Sequence, residues 1–454
     1  MTLLVIAPDY ASHALPLIAA GRAWQRRGQR VVVATGPAMA PLVRSAGMEY
    51  TELIMSRGSN AGVIATRHAQ DEEARSLEAF FDASKRGMVA TLRYQAEQRS
   101  TDLLWRPVQV ARRTLRILDV HAPTAVLVDH LAFAATIGLR AAGVPYGDVV
   151  LGHPTALPVG SEVYGVPAAW PPAITSGRLE MASLRAAALE VTTAFSSAYN
   201  DALRTVAPGS AIVDDAFRAH GELVLYNYPA LLHGPTRTAR LPRHAFLGSL
   251  VRHEEPDADT RTWLAQLDQR PLVVVSLGTF MSARVDVLSR IAASLRKVEV
   301  RVAIAIGGNR VDELGPLPDD WLVRASLPQV ALLERAQLLV THGGNNSVTE
   351  ALHFGVPMLV LPFSTDQFDG AAAIEHGVAG VALDPNRASR SLIAGTAQGL
   401  LRNPPPAAGL IGGLLRTRPG AELAYEAMAS LPRLEPQLLR ERRAATTSYS
   451  PAGS

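Results

Sequence analysis

Two doubly wound α/β domains are the fold this sequence predicts, and three observations predict it. Short, continuously apolar, β-branched runs alternate with stretches of helical periodicity, the pattern of parallel strands joined by crossover helices. That series runs once through the first half and starts again near Leu272. The chain is 454 residues long, more than one ordinary core holds and enough for two domains of roughly 200 residues each.

The elements follow in order. Leu3–Ala7 reads as a buried strand stopped by Pro8 and Asp9. Apolar residues then recur helically through Leu15, Leu17, Ile18 and Ala23 to a C-terminal Gly28, and Val31–Ala34 forms the next strand. A strand over Ala125–Val128, a helix over Ala132–Ala142 and a strand near Tyr146–Val150 continue this first series. The second comprises a strand at Leu272–Ser276, a helix at Val285–Arg296 and strands at Val300–Ile306, Leu338–Val340, Met358–Leu361 and Val378–Ala382. The charged, turn-rich region Arg237 to Asp259 connects the two. The expected organisation is an acceptor-binding domain over 1–245, a linker over 246–262 and a second domain over 263–420. A helix over 421–443 then returns to the first domain, and 444–454 is a disordered tail. Two less regular stretches, Met55–Leu118 and His153–Leu223, are expected to form a variable binding wall.

Composition removes several function classes. With a net charge of +3 and arginines scattered rather than clustered, the chain lacks the basic stripe of a nucleic-acid binder. With no cysteine it has no disulfide, thiol nucleophile or thiolate metal site. The apolar run Leu3–Ala7 is too short for a signal segment, and no run approaches the roughly 20 residues of a membrane span. A cytoplasmic protein, monomeric or homodimeric, is the expectation.

The chemistry-bearing stretch begins at Leu338, where a buried strand runs into Thr341-His342-Gly343-Gly344-Asn345-Asn346-Ser347 and then a helix. Small residues let the backbone approach a ligand, and free N–H groups at a helix start favour an anion, so the junction reads as a phosphate site. His342 and Ser347 add hydrogen bonds to the same phosphate. There is no G-x-G-x-x-G and no Walker lysine, which argues against nicotinamide and ATP. A structural alternative stays open: Asn345, Asn346 or Ser347 caps the helix, with Ser347 and Glu350 as a capping box, and His342 is a satisfied interior histidine.

These residues resemble the family 1 nucleotide-sugar glycosyltransferases of the GT-B fold, in particular the bacterial natural-product type. The family pattern His-x-Gly-x-Asn-Ser-x-x-Glu is met by His342, Gly344, Asn346, Ser347 and Glu350. It continues through Gly355-Val356-Pro357, Pro362 and Asp366-Gln367 at the family's spacing. By resemblance His342 and Ser347 contact the donor diphosphate, Glu350 the ribose hydroxyls, and Asp366 and Gln367 the sugar. Upstream, Ser276-Leu277-Gly278-Thr279 is similar to the family's loop beside the phosphates, and Leu327-Pro328-Gln329 to its loop beside the base. That second loop usually starts with tryptophan; Ser326 stands here, which leaves the base open between UDP and dTDP sugars.

A base for the acceptor proton is expected on the first domain. His13 follows the first strand at the carboxyl end of a parallel sheet, where ligands bind. His13-Ala14-Leu15-Pro16 resembles the family's Gly-His-x-x-Pro, with Ser12 in the glycine's place. Asp129, at the end of the strand Ala125–Val128, is the expected partner that fixes the imidazole. A local hydrogen-bonding role for His13 and a helix-capping role for Asp129 are the alternatives. His130 and His153 are pocket-lining candidates. Together these imply in-line displacement with inversion, His13 as general base, a nucleotide-sugar co-substrate and no required metal. Rival readings are a lipid-linked or cell-wall sugar transferase, a nucleotide-sugar epimerase, a non-catalytic activator partner or a carbohydrate-binding module. The acceptor is open; Phe80, Phe81, Trp105, Tyr164 and Trp170 are candidates for its pocket.

Overall fold

The computed structural model describes residues 1–56, 58, 71–432 and 434, with side chains for all of these except 71–74, 100–102 and 279–280. Among the described residues there are two sheets. The first contains β1 (Thr2–Ile6), β2 (Arg30–Thr35), β3 (Glu49–Glu52), β4 (Ala125–Asp129), β5 (Gly147–Val150), β6 (Leu223–Tyr226) and β7 (His244–Phe246) in the order β3-β2-β1-β4-β5-β6-β7. The second contains β8 (Leu272–Ser276), β9 (Arg301–Ala305), β10 (Leu322–Arg324), β11 (Leu338–Thr341), β12 (Met358–Val360) and β13 (Gly380–Ala382) in the order β10-β9-β8-β11-β12-β13. Every pairing is parallel; Leu3, for example, faces Val31 on one side and Ala125 on the other. Helices cover both faces of such sheets, so the strands are apolar throughout rather than alternating.

Each sheet accordingly separates two buried clusters. Leu3, Val5, Leu17 and Val33 lie on one face of the first sheet, and Leu4, Ile6, Val32 and Val128 on the other. Val273, Val275, Val340 and Ile291 lie on one face of the second, and Val274, Leu339, Val348 and Leu352 on the other. Four strands escape the sequence pattern. β3, β7 and β10 are edge strands of three or four residues without an apolar run. The fourth, β6, is apolar and buried yet falls at the end of a stretch that reads as irregular.

Between β3 and β4 stand the helices Asp71–Arg86, Met88–Leu103 and Pro107–His121, and the 29-residue helix Arg178–Val206 lies between β5 and β6. Helices thus occupy much of the first of the two less regular stretches and the middle of the second. The chain leaves the first sheet at Phe246 and enters the second at Leu272, with one helix, Ala258–Ala265, on the way. The helix Gly420–Met428 packs on the first domain. Tyr425 meets Trp24 edge-on at 5.0 Å, and Ala424 and Met428 complete the cluster that contains Leu17. The helix stops at Met428, short of the expected 443; residues 433 and 435–454, which include the tail, lie outside the described residues. No described helix is long and apolar enough to cross a membrane.

Candidate active site

In each sheet the strand order reverses direction beside the first strand, between β1 and β4 and between β8 and β11. Loops leaving two such strands diverge, opening a crevice at their carboxyl ends. His13 and Asp129 lie at the first crevice, and Ser276, Gly278, His342 and Gly344 at the second.

In the first, His13 sits in the opening turn of the helix Ala11–Gln25 and Asp129 ends β4. His13 Nδ1 is 2.7 Å from Asp129 Oδ2, while Asp129 Oδ1 accepts the Leu131 N–H at 2.8 Å. One carboxylate thus shapes the turn and holds the imidazole. Because a carboxylate only accepts, Nδ1 carries the proton and Nε2 is the basic nitrogen. Burial depresses the His13 pKa, but the Asp129 charge and hydrogen bond, with Asp366 adding to them, outweigh it and leave the pKa above the usual value. The carboxylate is 1% exposed and the histidine 23%, so only the histidine is open to a ligand. Beside it runs a cleft lined by Pro8, Tyr10, Met55, Leu103, Leu131 and Phe133, an apolar wall in which, among the described residues, His13 is the basic group. Met55 opens one of the two stretches expected to form a binding wall, whereas Tyr10 carried no sequence signal. Of the aromatics expected to line a pocket, Tyr164 stacks on Phe217 at 4.2 Å, Phe80 and Phe81 pack against the core of the second domain, and Trp170 packs near Phe368.

Pro16 has a further consequence. Lacking an N–H, it leaves the Ser12 carbonyl without its i+4 donor, and the Asn346 side-chain amide of the second domain donates to that carbonyl at 2.5 Å. The other two candidate histidines are occupied elsewhere. His130 Nδ1 is 3.0 Å from Asp148 Oδ2, both groups buried. The His153 ring faces Thr155 at 2.9 Å, and burial together with Arg237 and His233 pushes its pKa down to about 3.

At the second crevice β8 and β11 run side by side, Ser276 opposite Thr341. The following loops bring the His342 ring between two glycines. A Cβ on Gly278 would lie 2.7 Å from its Cε1, and one on Gly344 2.4 Å from its Nε2. Gly278, at φ +72, and Gly343, at φ +84, also occupy left-handed backbone, where a side chain is strained. Burial pushes the His342 pKa down to about 4 against a hydrogen bond with the Ser276 backbone, so the ring is neutral near pH 7. Thr279 lies in the short helix Gly278–Met281; its side chain is outside the described residues.

The helix Asn345–Phe354 starts after Gly344 with no side-chain cap. This corrects the capping expectation. Asn345 donates to the Leu151 and Asn227 carbonyls at 2.9 and 2.8 Å, and Asn346 donates to Ser12. Ser347, third in the helix, accepts from Gln329 Nε2 at 3.2 Å. Glu350 does not turn back on the helix start either. Its Oε2 accepts from Gln329 Nε2 at 2.7 Å and its Oε1 from Arg252 Nη1 at 2.7 Å. Side chains are thus drawn off to partners, and the first-turn N–H groups and the positive end of the helix dipole are left for an anion. Leu327 packs against the core cluster of Leu339 and Leu352, while Ser326 is exposed. Arg252 was not visible as a site residue in the sequence.

Asp366 and Gln367 open the helix that ends at His376. Asp366 Oδ1 accepts from the Thr365 hydroxyl at 2.9 Å and Oδ2 from the His153 backbone N–H at 2.5 Å. Gln367 accepts from the Phe363 and Ser364 N–H groups at 3.0 and 3.1 Å and donates to the Ser364 hydroxyl at 3.0 Å. That amide braces the loop and keeps one N–H for a ligand.

Two doubly wound domains facing each other across a cleft, each presenting its switch-point loops, define the GT-B class of fold. Solved structures agree along nearly the whole chain. Spinosyn forosaminyltransferase matches with TM-score 0.65 and 18% identity, covering 95% of this chain and 100% of its own. The glycosyltransferase VinC in complex with dTDP matches with TM-score 0.64 and 16% identity, covering 97% and 100%. Within that class, residues 227–405 match the family described as UDP-glucoronosyl and UDP-glucosyl transferase. Demethyllactenocin mycarosyltransferase of Streptomyces fradiae is 34% identical over 161 residues, 35% of this chain and 34% of its own length. 4'-Demethylrebeccamycin synthase of Lentzea aerocolonigenes is 31% identical over 164 residues, 36% and 38%. The UDP-glucosyltransferase YojK of Bacillus subtilis is 29% identical over 190 residues, 42% and 46%. The chain thus matches less than half the length of each of these relatives.

Proposed function

We propose that this protein is an inverting glycosyltransferase that moves a sugar from a UDP- or dTDP-sugar to a hydroxyl of a small, largely apolar acceptor. The observation that carries the reading is the His13–Asp129 pair, 2.7 Å apart, at the side of an apolar cleft and across from an uncapped helix start. The acceptor lies along Tyr10, Met55, Leu131 and Phe133 and presents its hydroxyl to His13 Nε2. His13 removes the proton as the oxygen attacks the anomeric carbon, and Asp129 stabilises the imidazolium that forms. The bond to the diphosphate breaks on the opposite side, which inverts the carbon.

The leaving charge falls on the first-turn N–H groups of the helix Asn345–Phe354, with neutral His342 and the Ser347 hydroxyl as further donors. Glu350 accepts from the ribose hydroxyls, Gln329 lies between ribose and phosphate, and Asp366 and Gln367 meet the sugar. Ser276, Gly278 and Thr279 form the second phosphate loop. No metal ion is part of this proposal. The names of the mycarosyltransferase and of the rebeccamycin enzyme, both similar to this chain, favour a secondary-metabolite acceptor.

The test supplies the protein with α-configured UDP- and dTDP-sugars and a panel of apolar alcohols and phenols. Products are read by mass, and the anomeric configuration by NMR coupling constants. A β-glycoside is expected. An α-glycoside, or donor epimerised without an acceptor adduct, overturns the reading.

A further inference from the structure

Glu350 is a carboxylate taken out of water: it is 5% exposed, and burial raises its pKa. Gln329 and Arg252 oppose that, one on each oxygen, and of the two only Arg252 brings charge. Arg252 belongs to neither sheet. It lies between β7 and the helix Ala258–Ala265, in the segment that joins the domains. Its second terminal nitrogen is 2.9 Å from Glu254 Oε1, and Glu254 Oε2 accepts the Val330 N–H at 2.8 Å. Glu254 therefore fixes the guanidinium from behind and, through Val330, fixes the loop that carries Gln329. A planar fork suits this task, since one side chain satisfies two carboxylates at a set angle.

We infer that Arg252 is a positioning residue of the donor site, holding Glu350 as an oriented carboxylate for the ribose hydroxyls. The inference rests on the reading of Glu350 given above. A ribose diol bound side-on needs an acceptor for each hydroxyl. Each Glu350 oxygen already accepts one protein hydrogen bond and keeps one lone-pair direction, so the ionised group meets both hydroxyls. Protonated, it would lose one of those acceptors to its own O–H. Without Arg252 the buried group lacks a counter-charge and takes up a proton, because a lone charge in such surroundings is costly. The joining segment thereby becomes part of nucleotide recognition.

The experiment measures, by calorimetry on the full chain, the affinity for UDP, whose ribose carries both hydroxyls, and for 2',3'-dideoxy-UDP; if only dTDP binds, which has the 3'-hydroxyl alone, the comparison is with its 3'-deoxy counterpart. For Arg252→Met at pH 7, the hydroxyl-bearing nucleotide is expected to lose about tenfold in affinity, the scale of one hydrogen bond to a charged group. The dideoxy nucleotide should change by no more than about twofold on that scale. The loss should shrink as the pH is raised and Glu350 ionises again, and Arg252→Lys should recover most of the preference for the hydroxylated nucleotide. Equal losses for both nucleotides would mean that Arg252 touches base or phosphate, or merely props the fold, and would overturn the inference; so would no loss. If Arg252→Met does not fold, Arg252→Gln faces the same comparison. Glu350→Ala separates the two levels. If that variant keeps the ribose preference, the reading of Glu350 fails; if it loses the preference while Arg252→Met keeps it, only the role of Arg252 fails.

Discussion

At the scale of single residues, the first crevice depends on which nitrogen of His13 is free. Asp129 holds Nδ1, so Nε2 faces the cleft, and removing the imidazole removes the base proposed there. His13→Ala is expected to lower kcat/KM by about 10²–10⁴, the usual worth of general-base catalysis, while the melting temperature stays within a few degrees because the side chain reaches solvent. Asp129→Asn is more informative. The amide keeps its oxygen for the Leu131 N–H, but its NH₂ then donates to Nδ1 and forces the proton onto Nε2, the tautomer that cannot act as base. A loss of up to about 10⁴ is expected, as for such a change in an Asp–His pair elsewhere. The pH profile supplies the sign. The base works only when unprotonated, and in the wild type its pKa lies above the ordinary value, so the rate falls on the acid side at a higher pH than for an unperturbed histidine. In Asp129→Asn burial is opposed only by the charge of Asp366, and that limb moves to lower pH. An acid limb that stays in place would remove Asp129 from this role. His13 and Asp129 were legible in the sequence because each follows a strongly apolar strand. Arg252 was not, since its partner Glu350 is 98 positions away and nothing local marks the pairing.

At the scale of elements, the donor crevice is a close approach of two strand–loop–helix junctions with an imidazole between two glycines. Any Cβ on Gly344 meets the His342 ring, whose same Cε1 and Nε2 atoms also lie close to Gly278. Gly344→Ala should therefore push His342 out of place and weaken nucleotide binding by about tenfold or more, the loss of roughly one good hydrogen bond. Titration with UDP and dTDP reads this. Gly395→Ala is the control. Gly395 is exposed inside the helix Arg390–Arg402, and nothing lies within 4 Å of an added Cβ. That change should leave binding untouched and add about 0.5–1 kcal/mol of stability, because alanine loses less backbone freedom in a helix. Equal binding in both variants would mean that the sandwich does not matter to the donor. The junction itself was legible, since a β-branched run followed by Gly-Gly and a helix is a local signal. The start of the helix was misread for a tertiary reason. Asn345, Asn346 and Ser347 are all good caps in isolation, yet each finds a partner in another element, two of them in the other domain, and the cap falls to Gly344.

At the scale of the whole molecule, the two domains are joined by buried polar contacts as well as by the linker, and these lie beside the proposed sugar site. Phe368, 1% exposed, stands among Met88, Leu92 and Leu184 of the first domain. One residue further on, Asp369 Oδ1 accepts the Ala168 and Ala169 N–H groups at 2.9 and 3.0 Å. Nothing in the sequence marks the start of this helix as facing another domain, because such a seam repeats no pattern along the chain. Burial, opposed by those two N–H groups and reinforced by the charge of Asp366, pushes the Asp369 pKa up to about 7. In the unfolded chain an aspartate titrates near about 4. Between these values the unfolded protein has released a proton that the folded protein keeps, so the folded state binds more protons and stability falls as pH rises through the window. Above the folded pKa the full cost of a buried charge remains. Asp369→Asn cannot ionise, yet its oxygen still accepts both N–H groups. The variant should therefore melt higher than the wild type at pH 8, by at least about 2 °C, the shift that about 1 kcal/mol produces in a domain of this size. The advantage should narrow toward pH 5. Parallel melting curves for the two proteins from pH 5 to 8 check this, and a difference in melting temperature that does not grow with pH would show that Asp369 sits ionised and uncosted between the domains.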